Sequence, residues 1–194
     1  VVPTPSDVNG RFRVEFIDSA LSKLTTHNPV VIVSTVMPGD VRRLRTKYNL
    51  KLIYNPEFIA LGSVIQNMLH PDSILIGAEG VEANVLAEFH HTIHNAPIYR
   101  MSLENAELAK LALNCYVTAK ITFANQLAEV CESLPGGNVD AVTNFIGSDS
   151  RVGKKYLKGG LGFGGPCFPR DNVAFIKQFG EFHLQKAVIT YNKQ

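Results

Sequence analysis

The sequence predicts an α/β protein: the second half of a doubly wound sheet, followed by an all-α domain with one long helix. Three observations carry this. Short β-branched runs alternate with amphipathic stretches over residues 1–98. At Ser102 the pattern changes, and no glycine or proline interrupts a strongly apolar stretch up to Ser133. Beyond it only helical segments follow, separated by glycine-containing turns.

Taken in order, residues 1–5, VVPTP, read as the end of a strand running into a loop. Val14 to His27 carries Phe16, Ile17, Ala20, Leu21 and Leu24 at helical spacing. Val30-Val31-Ile32-Val33 has the pattern of a buried parallel strand. Ser34-Thr35-Val36-Met37-Pro38-Gly39 turns the chain into a second helix through Tyr48, with Pro38 near its first position. Residues 51–54 and 73–76 read as strands, Val81 to His94 as a helix, and Ala96 to Met101 as a last strand. Ser102 then serves as N-cap, with Glu104 in the first turn, of a helix about 45–50 Å long at 1.5 Å per residue. Its apolar residues lie nearly all round, at Leu103, Leu108, Leu111, Leu113, Tyr116, Ile121, Phe123, Leu127 and Val130, so it must be covered on most sides. A core shared with a second subunit is the expected cover. Shorter helices follow at Val139–Ile146, Phe168–Phe179 and Leu184–Tyr191. The domain boundary is placed between residues 98 and 99.

The composition is that of an ordinary globular protein: 194 residues, 45% hydrophobic, net charge +2. A chain of this length buries about 70% of its unfolded surface. The balanced charge, with no basic run, argues against a nucleic-acid partner. No apolar run approaches the roughly 20 residues of a membrane span, and no signal peptide opens the chain. Three cysteines are an odd number, and Cys115 and Cys131 fall in one helix where they cannot bridge each other. A reducing, cytoplasmic setting is therefore expected. The chain opens at Val1, and no Gly-x-Gly-x-x-Gly fingerprint is expected anywhere along it. An upstream segment is expected to be missing.

The residues with chemistry in reach are few. Gly162-Phe163-Gly164-Gly165-Pro166-Cys167-Phe168-Pro169-Arg170-Asp171 sets a lone cysteine between a glycine run and a helix start. Glycines let a backbone approach a ligand, and a helix N-terminus favours a thiolate. Asp171 lies four residues on, close enough to handle a proton or a water. The same stretch also suits a glycine turn followed by a small buried apolar cysteine. Lys110 and Asn114 share a helix face, so the lysine suits an oxyanion stabiliser with Asn114 as its hydrogen-bonding aide. Lys110 could equally just pair with Glu107. Tyr54-Asn55-Pro56-Glu57-Phe58 follows a strand, where open α/β sheets hold catalytic groups, and Glu57 is a candidate general base. As an Asn-Pro-Glu loop it is also an ordinary turn. Thr35 stands at a second strand end, where it could cap the helix that follows. His90 and His94 share a helix face, but no carboxylate or cysteine cluster accompanies them, so no metal is expected.

In order and character these pieces resemble the nucleotide-sugar 6-dehydrogenases. VVPTP, STVMPG, YNPEFIALG, HPDSILIG, ENAELAKLALNCYVTAKITFANQLAEVCE and SRVGKKYLKGGLGFGGPCFPRD each match a family block, and together they span nearly the whole chain. The resemblance implies a Rossmann-like NAD-binding domain, here its C-terminal part, and a central dimerisation domain. It implies NAD-dependent oxidation of a sugar C6 alcohol to a carboxylate in two hydride transfers, with UDP-glucose the expected substrate. By the same resemblance Cys167 attacks the intermediate aldehyde and Glu57 serves thioester hydrolysis. Lys110 stabilises oxyanions, Asn114 positions substrate, and Asp171 assists with a water or proton. Thr35 lies beside the nicotinamide, and Thr4 touches the cofactor. Arg151 matches an arginine that reaches the neighbouring subunit's substrate. Tyr156 and Lys158 match residues near the phosphates, and Phe58, Ile59 and Gly164 line the substrate. The helix from Ser102 becomes the dimer-forming one.

There are departures. Leu61 stands where most relatives have a second glutamate, and a leucine cannot orient a water. Pro166 replaces the usual serine and removes one backbone donor. Arg170 replaces a lysine and keeps the charge. The amino-terminal half-sheet and the carboxyl-terminal nucleotide-sugar domain have no counterpart here, so the isolated chain is expected to reduce no NAD. Two other readings compete: a non-catalytic dimerisation or sensing module on the same fold, and a simple β-hydroxyacid dehydrogenase, which needs no cysteine.

Overall fold

The computed structural model describes residues 2–60, 62–180 and 182–193. Leu61 therefore lies outside the described residues. The chain divides into two compact units, one of Val1–Val8 with Phe12–Lys110, the other of Asn9–Arg11 with Leu111–Gln194.

The first unit holds a four-stranded sheet in the order β1 (Val30–Ile32), β2 (Leu52–Tyr54), β3 (Ile74–Gly77), β4 (Ile98–Met101). β1 and β2 run parallel, as do β3 and β4, while β2 and β3 are antiparallel. The reversal comes from residues 55–73, whose one helix, α3 (Val64–Leu69), buries no residue. Without a helix docked on the sheet this connection makes no crossover, and an antiparallel return needs none. The alternation of side chains along each strand sorts the core into two faces. Ile32, Leu52, Tyr54 and Leu75 pack with α1 (Glu15–Leu21), α2 (Asp40–Tyr48) and the start of α5 (Leu103–Glu132). Ile53 and Ile76 pack with Ala83 and Ala87 of α4 (Glu82–His91). A sheet covered on both faces is the doubly wound arrangement.

Two local expectations are corrected. The first helix stops at Leu21 rather than His27, its end tightened by Lys23 and Leu24 amides bonding three residues back, and Leu24 is exposed. The β-branched Thr25-Thr26 and the residue before Pro29 are poor helix formers. β1, read as a buried strand, leaves Val31 37% exposed. It is the outer strand among those described, and the cover over Ile53 and Ile76 ends before it.

Where β3 meets α5, Gly77 makes the approach possible: a Cβ there would sit 2.6 Å from the Ala106 Cβ. Gly77→Ala must push helix and strand apart, and we expect a loss of about 1–3 kcal/mol, read as a lowered melting temperature.

The second unit is helical: the rest of α5, then α6 (Val139–Ser148), α7 (Phe168–Phe179) and α8 (His183–Tyr191). α5 runs unbroken for 30 residues across the unit boundary. Leu111, Cys115, Ala124 and Cys131 are buried, whereas Leu113, Tyr116, Phe123 and Val130 on the same helix are half exposed. Among the described residues no helix is long and apolar enough to cross a membrane.

Candidate functional site

In the first unit Thr35 and Glu57 lie just past the ends of β1 and β2, Thr4 lies in the opening segment and Lys110 lies on α5. Thr4, itself buried, donates its hydroxyl to the Thr35 carbonyl at 2.7 Å, and Ser34 Oγ donates to the carbonyl of Val2. The loop after β1 is thus tied to the opening segment. It enters α2 through Gly39, where the two oxygens of the Glu107 carboxylate accept from the Gly39 and Val41 amides at 2.7 and 2.8 Å. A carboxylate is well placed at a helix N-terminus. Glu107 is fully buried, and burial pushes its carboxyl up to about 7 against the two donors that favour the anion.

One turn further along α5, Lys110 is buried, with Nζ donating to the Glu57 carbonyl at 2.5 Å and lying 4.6 Å from the Phe58 ring centre. Such a cation–π contact strengthens when desolvated. The lysine holds the Asn55-Pro56-Glu57-Phe58 loop by its backbone, which leaves the Glu57 side chain exposed. Ile59, next along, is half-buried.

In the second unit Cys167 is exposed at the N-cap of α7, and Pro169 falls in the first turn. The Asp171 amide donates to the Cys167 carbonyl at 2.8 Å. Asp171 itself is fully buried, accepting from Asn114 Nδ2 at 2.6 Å and pairing with Arg170 at 2.8 Å. Asn172, also buried, donates to Thr118 Oγ1 and to the Phe168 carbonyl, tying the first turn of α7 to α5. The glycine loop is held by Asn192, whose side-chain amide bonds both the Phe163 amide and its carbonyl, at 2.7 and 2.8 Å. Gly165 has φ +74°, a conformation that disfavours any other residue, and a Cβ on Gly164 would meet nothing within 4 Å. The expectation that the Gly-x-Gly-x-x-Gly pattern is absent is corrected: Gly160, Gly162 and Gly165 have that spacing. Among the described residues no strand leads directly into them, so this is not the dinucleotide fingerprint. Tyr156 takes φ 60°, unusual for a non-glycine residue, and packs edge-on to Phe168. Lys158 is exposed. Arg151, 87% exposed, pairs with Asp149 two residues back and holds its carboxyl below the usual range.

The structure thus brings Thr4 to Thr35, Lys110 to the Glu57–Phe58 loop, and Asn114 to Asp171. It also gives roles that sequence reasoning did not assign: Glu107 bonds the start of α2, Asn55 and His90 bond each other, and Asn192 holds the glycine loop. Of these only Asn192 had no signal in the sequence. Among the described residues no group of three or more His, Cys, Asp or Glu is placed to hold a metal ion.

The fold and the site describe an α/β protein whose strand-end loops are joined in sequence to a helical unit that carries an exposed thiol at a helix start. Comparison with known proteins sharpens this. Residues 1–95 match the NAD binding domain of the UDP-glucose/GDP-mannose dehydrogenase family, and residues 104–194 match its central domain. The chain belongs to that family. It is 33% identical to UDP-glucose 6-dehydrogenase TuaD of Bacillus subtilis over 209 residues, covering all of this chain and 45% of the relative. It is 34% identical to UDP-glucose 6-dehydrogenase YwqF of the same organism, covering 98% of this chain and 47% of the relative. A solved UDP-glucose dehydrogenase from Pyrobaculum islandicum superposes with TM-score 0.86 at 31% identity, over all of this chain and 49% of that one. The chain spans about half the length of the relatives it matches.

Proposed function

We propose that this chain carries the reacting residues of an NAD-dependent nucleotide-sugar 6-dehydrogenase that oxidises the C6 alcohol of a UDP-sugar, UDP-glucose first, to a carboxylate. The observation that carries the reading is the exposed Cys167 at the start of α7, with the buried Asp171 bonded to Asn114 behind it. The names of the relatives support the substrate class.

The chemistry assigned to each residue follows. The first oxidation takes the C6 alcohol to an aldehyde. The Cys167 thiolate adds to the aldehyde carbon, forming a C–S bond, and the resulting oxyanion is stabilised by Lys110. The second oxidation removes the hydride from that thiohemiacetal and leaves a thioester. Water, activated by Glu57, attacks the thioester carbonyl; the C–S bond breaks, releasing carboxylate and returning the thiol. Asn114, held by Asp171, positions the sugar, and Phe58, Ile59 and Gly164 are assigned to substrate binding. Tyr156 and Lys158 face the phosphates, and Arg151 serves the neighbouring subunit's site.

NAD would supply the oxidant, one molecule for each of the two hydride transfers. We assign Thr35, half-buried and with its carbonyl accepting from the Thr4 hydroxyl, to the nicotinamide end, with Thr4 touching the cofactor. The N-terminus of α2 is already filled by Glu107 and is not open to a pyrophosphate. We also expect the chain alone to produce no NADH. Residues 1–98 then belong to the NAD-binding domain and 99–194 to the central one, in a cytoplasmic homodimer joined through helix 102–133. The half-exposed Leu113, Tyr116, Phe123 and Val130 support that contact.

The test is thiol labelling. Iodoacetamide is expected to modify Cys167 and to spare Cys115 and Cys131, read by mass spectrometry of one digest. Both controls are buried, and burial with the Asp171 charge pushes the Cys115 thiol up to about 12. Labelling of Cys167 no faster than of the buried pair would remove the basis for a nucleophile there.

A further inference from the structure

We propose that His90, as a neutral imidazole protonated on Nε2, is a positioning residue for the loop that carries Glu57, acting through Asn55. Asn55 directly follows β2 and is buried. Its backbone amide donates to the Ile32 carbonyl at 2.9 Å. Its side-chain Nδ2 donates to the Leu75 carbonyl at 2.9 Å, and a carbonyl can only accept, so the orientation of this amide is settled. That leaves Oδ1 facing His90 Nε2 at 2.9 Å. An amide oxygen also only accepts, so Nε2 must carry the proton.

The other ring nitrogen agrees. Nδ1 of His90 is buried and has no hydrogen-bond partner among the described residues. As a bare lone pair this costs little, whereas as a charged N–H with no acceptor it would cost much more. Burial and the neighbouring His94 and His91 push the ring's proton affinity down, in the same direction.

The consequence is a clamp on a short stretch. Asn55 is held by β1, by β3 and by His90 of α4, and two residues later the Glu57 carbonyl is held by Lys110. Only Pro56, with its fixed φ, lies between. The exposed Glu57 side chain therefore projects from a backbone fixed on both sides, as a group meant to act on a bound reactant requires.

The functional meaning rests on Glu57 acting as proposed above, but the test needs neither turnover nor Cys167, so the two ideas can fail separately. Nitrogen NMR of the imidazole near neutral pH is expected to show protonated Nε2 and bare Nδ1 for His90. Backbone order parameters of Glu57 and Phe58 are expected in the rigid range of about 0.85, falling below about 0.6 in His90→Leu, with Ile98–Met101 of β4 unchanged as control. His90→Gln, whose side-chain N–H can replace Nε2–H, should restore rigidity. A proton on Nδ1, unaltered order in His90→Leu, or failure of His90→Gln to rescue would each overturn the proposal.

Discussion

Cys167→Ser is expected to lower carboxylate formation on the order of a thousandfold or more, because a serine hydroxyl without the thiol's acidity is a poor nucleophile toward the aldehyde. The measurement uses a chimaera in which this chain replaces the matching half of UDP-glucose 6-dehydrogenase TuaD, assayed for NADH and for UDP-glucuronate. The unfused chain serves as control and is expected to make no NADH. If the serine chimaera reached product at the full rate, the thioester route would be wrong and the simpler β-hydroxyacid dehydrogenase reading would replace it. Measurable NADH from the unfused chain would overturn the claim that it cannot hold the cofactor.

The second large effect is expected at Glu107. Glu107→Ala leaves the Gly39 and Val41 amides at the start of α2 without their acceptor, where Glu107 and Val41 are buried and Gly39 partly so. Two orphaned donors cost about 2–4 kcal/mol, a drop of roughly 5–15 °C in melting temperature for a chain of this size. The carboxyl also ties stability to pH. Its folded value, about 7, lies above the ordinary 4.5, so the folded state binds the proton more tightly than the unfolded one. Its stabilising contribution is therefore complete below 4.5 and is lost as pH rises through about 7, by up to about 3 kcal/mol. Urea unfolding across that window should show the wild-type chain losing stability relative to Glu107→Gln, which cannot titrate. A constant difference between the two would show that the carboxyl is not perturbed.

Much of the fold is legible along the chain because local rules decide it. The helix over Leu103–Glu132 follows from an unbroken run of good helix formers with a serine before it, and α7 from a proline in its first turn and Gly180 after its end. β2 and β3 show as short apolar runs because both faces are covered. The antiparallel return between them is not legible. It depends on whether α3 finds a face to bury, and its exposed Ile65 and Met68 look in sequence like any amphipathic turn.

The candidate site divides in the same way. Cys167, Asp171, Lys110, Asn114 and Glu57 are legible as candidates in sequence because a thiol, a lysine or a carboxylate lies beside a glycine run, an apolar helix or a strand end. Each stretch also admits a structural reading, and the family resemblance is what singles them out. Glu107, three residues before Lys110, reads as an ion-pair partner, yet its two oxygens serve amides 66 and 68 residues away. Asn55 and His90 lie 35 residues apart, and Asn192 meets Phe163 across 29. Residue type, spacing and helix phase are properties of short segments, and so the sequence alone settles the element types, the family and the chemical candidates. Which polar groups satisfy one another once buried depends on distances set by packing, and so only the tertiary structure decides how the loop before Glu57 and the glycine run before Cys167 are held.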